Sequence, residues 1–336
     1  MIPKIVRPGL SLLLIAVLSG CNTVVMNPTG DIAKQQADLI TVSVLLMLII
    51  IIPVMILTVL FAWKYRKNAN ARYEPDWDHS TKLELVIWGA PLLIIIALGL
   101  ITWISTHKLD PYRPLDRIDE KRPVAAGTKV LEVQVVSLDW KWLFIYPEQG
   151  IATVNELVTP VDTPVRFKLT SSTVMNAFYI PTLAGMIYTM PGMETQLNAV
   201  INKAGAYKGQ SSHFSGDGFS HMKFAYHGTS QADFDAWVAK VKASGNTLGR
   251  NDYLTLEKPS EKEPVKYYGN VAPNLFLSVV NRCVAEGSVC MSQQMAHDHQ
   301  RVRNDIALKQ VPQDAKRVAA TTDAEVCETP TNPVKK

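Results

Sequence analysis

The side chains best able to bind a metal are concentrated in one polar segment, residues 205–222. It contains His213, His221 and Met222, whose imidazole and thioether groups are copper ligands in many proteins. A blue-copper or two-copper centre also needs thiolate sulfur. No cysteine lies within residues 127–240. The four cysteines of the chain are Cys21, Cys283, Cys290 and Cys327. Two interpretations stay open: a metal site of an unusual type, or a Gly- and Ser-rich loop that folds without a metal, which we favour.

The segment, GAYKGQSSHFSGDGFSHM, resembles the copper-binding loop of subunit II of the haem-copper respiratory oxidases. In that family a G-x-Y-x-G-Q-C-x-E-x-C-G-x-x-H-x-x-M loop and an upstream histidine hold a two-copper centre. The matching anchor residues are Gly209, Gln210, Gly216 and Met222. The ligand positions are occupied here by Asn176, Ser211, His213, Ser215, Phe219 and Met222. Only Met222 keeps the ligand type, so the resemblance implies the quinol-oxidising branch of the family, with no metal in this chain.

The N-terminus is predicted to be a lipoprotein signal peptide, residues 1–20. Lys4 and Arg7 give it a positive start, and its apolar core over residues 10–18 is too short to span a bilayer comfortably. The sequence LSGC, which ends at Cys21, resembles a bacterial lipobox, in which the cysteine is lipidated. An ordinary cleavage site with an incidental cysteine is the alternative, and we expect lipidation.

Two apolar runs, residues 39–63 and 85–104, are each long enough to cross a membrane, since a hydrocarbon core of ~30 Å needs about 20 helical residues. They predict a two-helix transmembrane hairpin over residues 39–106. Neither run contains a charged residue or a histidine, so neither can ligate a haem. Pro53 and Pro91 lie inside the runs and are expected to kink them, which membrane helices tolerate.

The orientation of the hairpin follows from the lipobox and from charge. The connecting loop, residues 64–82, is rich in Lys and Arg, and the positive-inside rule places it in the cytoplasm. Residues 105–123 are equally basic, so the lipobox decides, because Cys21 must lie outside the inner membrane. We therefore predict a periplasmic N-terminal segment over residues 21–38, a linker over residues 107–126 and a large periplasmic C-terminal part, all in a bacterial inner-membrane protein.

Residues 127–228 have the pattern of an all-β domain. Alternating and β-branched segments predict strands, which lie at residues 130–136, 165–170, 195–201 and 222–226. Proline and glycine turns separate them, and this spacing is typical of a sandwich or barrel. The resemblance implies a cupredoxin-like Greek-key domain. The predicted fold is thus a membrane α-hairpin plus an all-β cupredoxin-like domain.

A C-terminal helical extension is predicted over residues 229–290. Apolar residues at helical spacing, with a capping signal at Ser230, predict a helix over residues 230–243. A second short helix is predicted over residues 274–286.

The last part of the chain, residues 291–336, is polar and lacks periodicity, which predicts a disordered tail. Just before it, Cys283 and Cys290 could pair in the oxidising periplasm, or a helix carrying Cys283 could aim its thiol elsewhere. Both possibilities stay open at this point.

Two further features have expected roles. Residues 139–146, DWKWLFIY, resemble the aromatic segment of the family, which lies near the electron entry point in copper-containing members. Without copper, we expect these aromatics to pack the domain and seat it on the catalytic subunit. Glu84 lies in the first turn of the second membrane helix, where the helix dipole alone favours a carboxylate. The resemblance implies a second role for Glu84, at the mouth of a proton channel in subunit I.

The composition and motifs narrow the function. The formal net charge of +4, without a basic stripe interleaved with aromatics, argues against nucleic-acid binding. No nucleophile–base pair, phosphate loop or zinc motif is present, so the isolated chain is predicted to be inactive. The resemblance implies a non-catalytic subunit II of a proton-pumping terminal quinol oxidase. It implies haems and copper in subunit I, and subunits I, III and IV and the bilayer as partners. The alternatives are a copper-containing cytochrome c oxidase subunit II and a free-standing membrane-anchored periplasmic binding lipoprotein.

Overall fold

The computed structural model describes residues 23–67 and 76–310. After a short 3-10 turn at Val24–Met26, helix α1 spans Asp31–Lys64 and helix α2 spans Thr81–Lys108. Both helices are long and apolar enough to cross a membrane, and most of their apolar side chains are exposed. Exposed apolar surface on this scale is stable only when lipid or a partner covers it. The predicted hairpin is present in the structure.

Helix α1 begins earlier than its apolar run, which corrects the prediction of a separate segment over residues 21–38. Residues 31–38 are already helical, and Asp31, Ala33 and Ala37 are buried. Packing against the domain above the membrane stabilises these turns, which is why hydropathy alone did not place them in the helix. With 34 residues, α1 is about 51 Å long and extends well beyond a ~30 Å hydrocarbon core.

The chain after α2 is a structured collar, residues 109–123, where the sequence predicted a linker over residues 107–126. It contains a small hairpin of strands β1 (Arg117–Asp119) and β2 (Arg122–Pro123). The amide of Asn198 donates to three collar carbonyls, those of Pro111, Tyr112 and Arg113. The residues in these contacts lie far apart in the sequence, so no local sequence pattern predicts the contacts.

Ion pairs fasten the collar on both sides. The guanidinium of Arg122 donates to both carboxylate oxygens of Asp162, at 2.9 and 2.8 Å. This guanidinium holds the pKa of Asp162 below its usual range. Arg117 donates from Nε to the buried Asp31 at the start of α1, at 2.9 Å. The collar thus connects the β domain to the base of α1.

Two β-sheets form the domain beyond the collar. The first has the strand order β10-β7-β3-β4-β5-β14 and the second the order β6-β12-β11-β8-β9. The first sheet contains β3 (Leu131–Leu138), β4 (Lys141–Tyr146), β5 (Ile151–Val154), β7 (Val165–Ser171), β10 (Thr195–Ala199) and β14 (Lys266–Tyr268). The second contains β6 (Glu156–Pro160), β8 (Asn176–Tyr179), β9 (Ile187–Thr189), β11 (Gly205–Ser211) and β12 (Lys223–Thr229). Each predicted strand corresponds to a strand in this set.

The strand order has the crossovers of the predicted Greek-key type. Strands β3 and β7 are parallel, as are β6 and β12, while the other pairings in these sheets are antiparallel. Aromatic side chains from both sheets fill the space between them. Trp142, Phe178 and Phe224 lie with ring centroids 5.4–5.7 Å apart, and the Phe178 and Phe224 rings are stacked. The predicted all-β domain is confirmed.

The C-terminal extension, predicted to be helical over residues 229–290, contains short strands as well as helices. Helices α3 (Gln231–Lys242), α4 (Arg250–Glu257) and α5 (Leu275–Val280) alternate with strands β13 (Thr247–Leu248), β14 and β15 (Asn270–Val271). Ser230 caps α3 as predicted, since its hydroxyl accepts from the Asp233 N–H at 3.1 Å. The helix predicted over residues 274–286 corresponds to α5 and is shorter than predicted. Arg282, just beyond its end, has a left-handed φ of 54°.

The extension covers the outer face of the first sheet with a second apolar core. Leu143 and Val154 of the sheet pack there with Tyr253 and Phe276 of the extension. Strand β14 joins the same sheet at its edge, antiparallel to β5. A strand that is buried on both faces is largely apolar along its whole length. This explains why apolar and polar residues alternate little in β4 and β5.

Helix α6, Met291–Gln310, occupies the first part of the predicted disordered tail, so that prediction is wrong for these residues. The segment is polar on most sides but consists largely of good helix formers, and its start is held in place. Cys283 and Cys290 form a disulfide, which resolves the open alternative. Met291 packs over Gly192, with its Cε 2.9 Å from where a Cβ on that glycine would lie. Residues 311–336 lie outside the described part of the chain.

The junction between α1 and the domain is tight at Gly30. The backbone N–H groups of Thr29 and Gly30 donate to the carbonyl of Thr182, and the N–H of Ala33 donates to that of Leu183. A Cβ at Gly30 would lie 2.6 Å from the carbonyl oxygens of Leu183 and Val200. Backbone oxygens cannot turn aside as a side chain can, so only glycine fits this position.

We expect Gly30→Ala to loosen this junction at a cost of about 1–3 kcal/mol, because the added methyl group overpacks a site closed by backbone atoms. Thermal unfolding of the full chain in detergent should show a lower transition temperature. Gly99→Ala is the matched control, because a Cβ there meets nothing within 4 Å. Equal transition temperatures for the two variants would contradict the close fit.

Candidate functional site: the degenerate copper loop

The structure brings the side chains of two of the six predicted positions into direct contact. Asn176 begins β8 and Ser211 ends β11, on neighbouring strands of the second sheet. The Ser211 hydroxyl lies 3.4 Å from Asn176 Oδ1 and 3.2 Å from the carbonyl of His213. Both side chains are buried. At the positions of a family histidine and cysteine, the chain has an amide and a hydroxyl that bind each other.

A buried polar network surrounds this pair. The hydroxyls of Ser137 and Thr189 form a short hydrogen bond of 2.7 Å, and Thr189 also donates to the carbonyl of Asn176. The amide of Asn176 donates to the carbonyl of Val174 at 3.3 Å and lies 3.5 Å from Ser137 Oγ. Since buried polar groups are costly without partners, mutual hydrogen bonding stabilises this site. Sequence reasoning missed Ser137 and Thr189, which lie on distant strands.

The side chains at the other four positions have different surroundings. His213 is half-buried with its ring edge-on to Tyr188, and Phe219 packs against Phe214. Met222 is almost fully buried in the apolar core. Ser215 contributes its backbone carbonyl to a hydrogen bond, while its hydroxyl is buried without a partner.

This donor set does not fit a two-copper centre. Such a centre needs bridging thiolates, and the corresponding positions hold Ser211 and Ser215. Across residues 23–67 and 76–310, no group of three or more His, Cys, Asp or Glu side chains is arranged to hold a metal ion. We therefore derive no chemical step through copper at this loop.

Trp140 holds the loop through one hydrogen bond and close packing. The backbone of Trp140 has a left-handed φ of 64°. Its indole N–H donates a hydrogen bond to the Ser215 carbonyl at 3.0 Å. The indole lies so close to Gly218 that a Cβ there would be 2.4 Å from the ring. Gly216, with φ of 104°, makes the turn that brings the loop under the indole. The aromatic segment packs the domain as predicted, and its seating on another subunit stays a prediction.

Glu84 lies in the first turn of α2, at the opposite end of that helix from the β domain. Its carboxylate is half exposed and lies 2.7 Å from His79 Nδ1. The other ring nitrogen of His79 lies 3.2 Å from the Thr81 hydroxyl. The sequence singled out Glu84 but missed His79, which precedes the helix by two residues. Cys21, the predicted lipidation site, lies outside the described residues.

Comparison with known families places both parts of the periplasmic domain. Residues 132–229 match the family described as cytochrome c oxidase subunit II, periplasmic domain, close to the predicted boundaries of 127–228. Residues 242–287 match the family described as COX aromatic rich motif. The fold and site thus define a membrane-anchored protein of the oxidase subunit II class, with a cupredoxin-like domain.

Relatives that match most of this chain identify the family within this class. The chain is 51% identical over 278 residues to cytochrome bo(3) ubiquinol oxidase subunit 2 of Pseudomonas putida, with 82% of this chain and 85% of the relative covered. It is 49% identical to ubiquinol oxidase subunit 2 of Acetobacter aceti, with coverages of 78% and 83%. It is 41% identical to quinol oxidase subunit 2 of Bacillus anthracis, with coverages of 74% and 84%. The chain belongs to the quinol oxidase subunit 2 family of the haem-copper oxidases.

We expect Asn176→Ala to destabilise the domain by about 1–3 kcal/mol, because it takes one hydrogen-bond partner from the buried Ser211 hydroxyl and removes the hydrogen bond that the Asn176 amide donates to the Val174 carbonyl. Denaturant unfolding of the full chain in detergent, followed by tryptophan fluorescence, measures this. Ser212→Ala, a neighbouring exposed hydroxyl, is the control and should change little. If both variants unfold at the same denaturant concentration as the unmodified chain, the hydrogen-bond network around Asn176 does not support the loop.

Proposed function

We propose that this chain is the non-catalytic subunit II of a proton-pumping ubiquinol oxidase that lacks the two-copper centre. The observation that carries the proposal is the pairing of Asn176 and Ser211 at two former ligand positions, inside a network that leaves no thiolate for copper. The family membership of the chain supports the same conclusion.

The proposal has a simple physical basis. A water-soluble electron donor docks outside the membrane, so its electrons need a metal relay into the catalytic subunit. A quinol dissolves in the bilayer and can reach haem in the catalytic subunit directly. The relay is then dispensable, while the domain that carried it still serves as a structural brace. The isolated chain is accordingly proposed to be inactive.

The partners and cofactors follow from this role. Subunit I is proposed to hold the haems, the copper and the quinol site, and to bind the exposed apolar faces of α1 and α2. Subunits III and IV are proposed as further components. The N-terminus is proposed to be lipidated at Cys21 in the inner membrane, with the β domain in the periplasm.

Purification of the complex through an affinity tag on this chain tests the proposal. We expect a haem-containing complex that oxidises ubiquinol and not reduced cytochrome c, because no copper relay is present. Metal analysis should find copper only in the amount that one copper per subunit I requires. Two additional coppers, with cytochrome c oxidation, would establish the copper-containing alternative. A chain that purifies alone, without haem, would support the free-standing lipoprotein.

A second prediction concerns proton supply through Glu84. We expect Glu84→Ala to slow oxygen reduction several-fold in the intact complex without dissociating it, because the carboxylate can collect and pass protons at the membrane edge. His79→Gln should have a smaller effect in the same direction, since it removes the 2.7 Å partner of that carboxylate.

Oxygen-consumption rates of the purified complexes measure both variants. Asp78→Asn, a nearby exposed carboxylate, is the control and should leave turnover unchanged. Unchanged turnover of Glu84→Ala would show that Glu84 takes no part in proton supply and only interacts favourably with the helix dipole.

A further inference from the structure

A polar cavity lies where the membrane helices meet the β domain. It has a volume of about 270 Å³ and is lined by the start of α1, the end of α2, the collar, one loop of the domain and strand β10. Its polar lining includes Asp31, Gln35, Lys108, Asp110, Arg113 and Arg117. None of these residues has a role in the function proposed above.

The depth of the cavity corresponds to the headgroup layer of a bilayer. The apolar run of α1 begins at Leu39 and that of α2 ends at Ile104, each four residues from a cavity residue, Gln35 and Lys108. At about 1.5 Å per residue, the cavity lies roughly 6 Å beyond the hydrocarbon edge. Exposed Trp103 lies just below this level, and such aromatics mark the membrane interface.

The charges in the lining are balanced, and most are internally paired. Arg117 pairs with Asp31 at 2.9 Å, and Arg113 pairs with Asp116 at 2.5 Å. Lys108 and Asp110 are the two lining charges left without an ion pair within the described part of the chain. Asp110 Oδ1 accepts a hydrogen bond from the Tyr112 N–H at 2.9 Å, and the cavity therefore offers one cation and one carboxylate that are not held in ion pairs.

Asp31 adds a second acceptor. Its carboxylate is 2% exposed, and Oδ2 accepts from Arg117 and Gln35. Oδ1 is buried and accepts no hydrogen bond. An under-satisfied carboxylate in the wall of a partly enclosed site favours a cationic group nearby, because low-dielectric surroundings strengthen the attraction.

We propose that this cavity binds the headgroup of a phosphatidylethanolamine molecule from the periplasmic leaflet. Its phosphate pairs with Lys108, and its ammonium donates to Asp110 under the attraction of Asp31. A zwitterion satisfies both free charges, whereas an anionic headgroup would leave Asp110 unpaired and face repulsion from two carboxylates. A choline headgroup carries no N–H to donate. The acyl chains then run along the exposed apolar surface of the hairpin, and the lipid secures the junction from the membrane side.

Lipid titration of the complex, purified through a tag on this chain and stripped of lipid by prolonged detergent washing, tests the proposal. Thermal unfolding is followed after addition of phosphatidylethanolamine, phosphatidylcholine or phosphatidylglycerol. We expect only phosphatidylethanolamine to raise the transition temperature. An equal effect of phosphatidylglycerol or phosphatidylcholine, or no effect of any lipid, overturns the proposal.

A paired variant locates the site. In Lys108→Gln with Asp110→Asn, the stabilisation by phosphatidylethanolamine should disappear, and mass spectrometry should find about one ethanolamine lipid fewer per complex before washing. Lys129→Gln with Glu148→Gln removes an exposed ion pair of the β domain and is the control. Retention of the lipid by the cavity variant contradicts the assignment. These readouts do not use oxidase activity, so a failure of the lipid proposal can be distinguished from a failure of the function proposed above.

Discussion

Polar side chains buried between strands are stable only if they find hydrogen-bond partners. At the base of the loop of residues 205–222, Ser137, Asn176, Thr189 and Ser211 bind one another between the strands. Trp140 supplies the remaining cross-link by donating to the Ser215 carbonyl. Hydrogen bonds and one indole thus hold the loop, and on the proposed function they do so in place of copper.

The rest of the domain is arranged so that this loop has a rigid base. Glu156 joins the extension to the sheet, since its carboxylate accepts from the Trp237 indole at 2.7 Å and the Tyr267 hydroxyl at 3.1 Å. Burial raises the pKa of Tyr267 to about 12, so it remains a donor at neutral pH. Lys141, buried next to Trp140 in the chain, donates to the Lys258 carbonyl at 2.8 Å. The extension therefore braces the turn between β3 and β4, whose Trp140 contacts the loop.

The junction with the membrane hairpin follows the same logic on a larger scale. The backbone around Gly30 is bonded directly to the domain, and Arg117 and Arg122 connect the collar to Asp31 and Asp162. A domain bonded in this way cannot swing freely over the membrane. On the proposed function, that rigidity is what a bracing subunit contributes, and a lipid headgroup in the adjacent cavity would add to it from below.

The sequence by itself determined the membrane runs, the all-β domain, the capped helix after Ser230 and the absence of cysteine from residues 127–240, because each depends on local composition or on a motif of fixed spacing. It also located Asn176 and Ser211 as related positions through the family pattern. Only the tertiary structure decided that these two bind each other, that Ser137 and Thr189 complete the network, and that Cys283 pairs with Cys290. It also decided that residues 109–123 form a collar, that β14 joins the first sheet and that α6 is helical. The network, the collar and the pairing of β14 depend on contacts between residues distant in the chain, whose geometry has no signature in local pattern and is fixed only when the core brings the strands together. The disulfide spans only seven residues and depends on the local path of the backbone after α5.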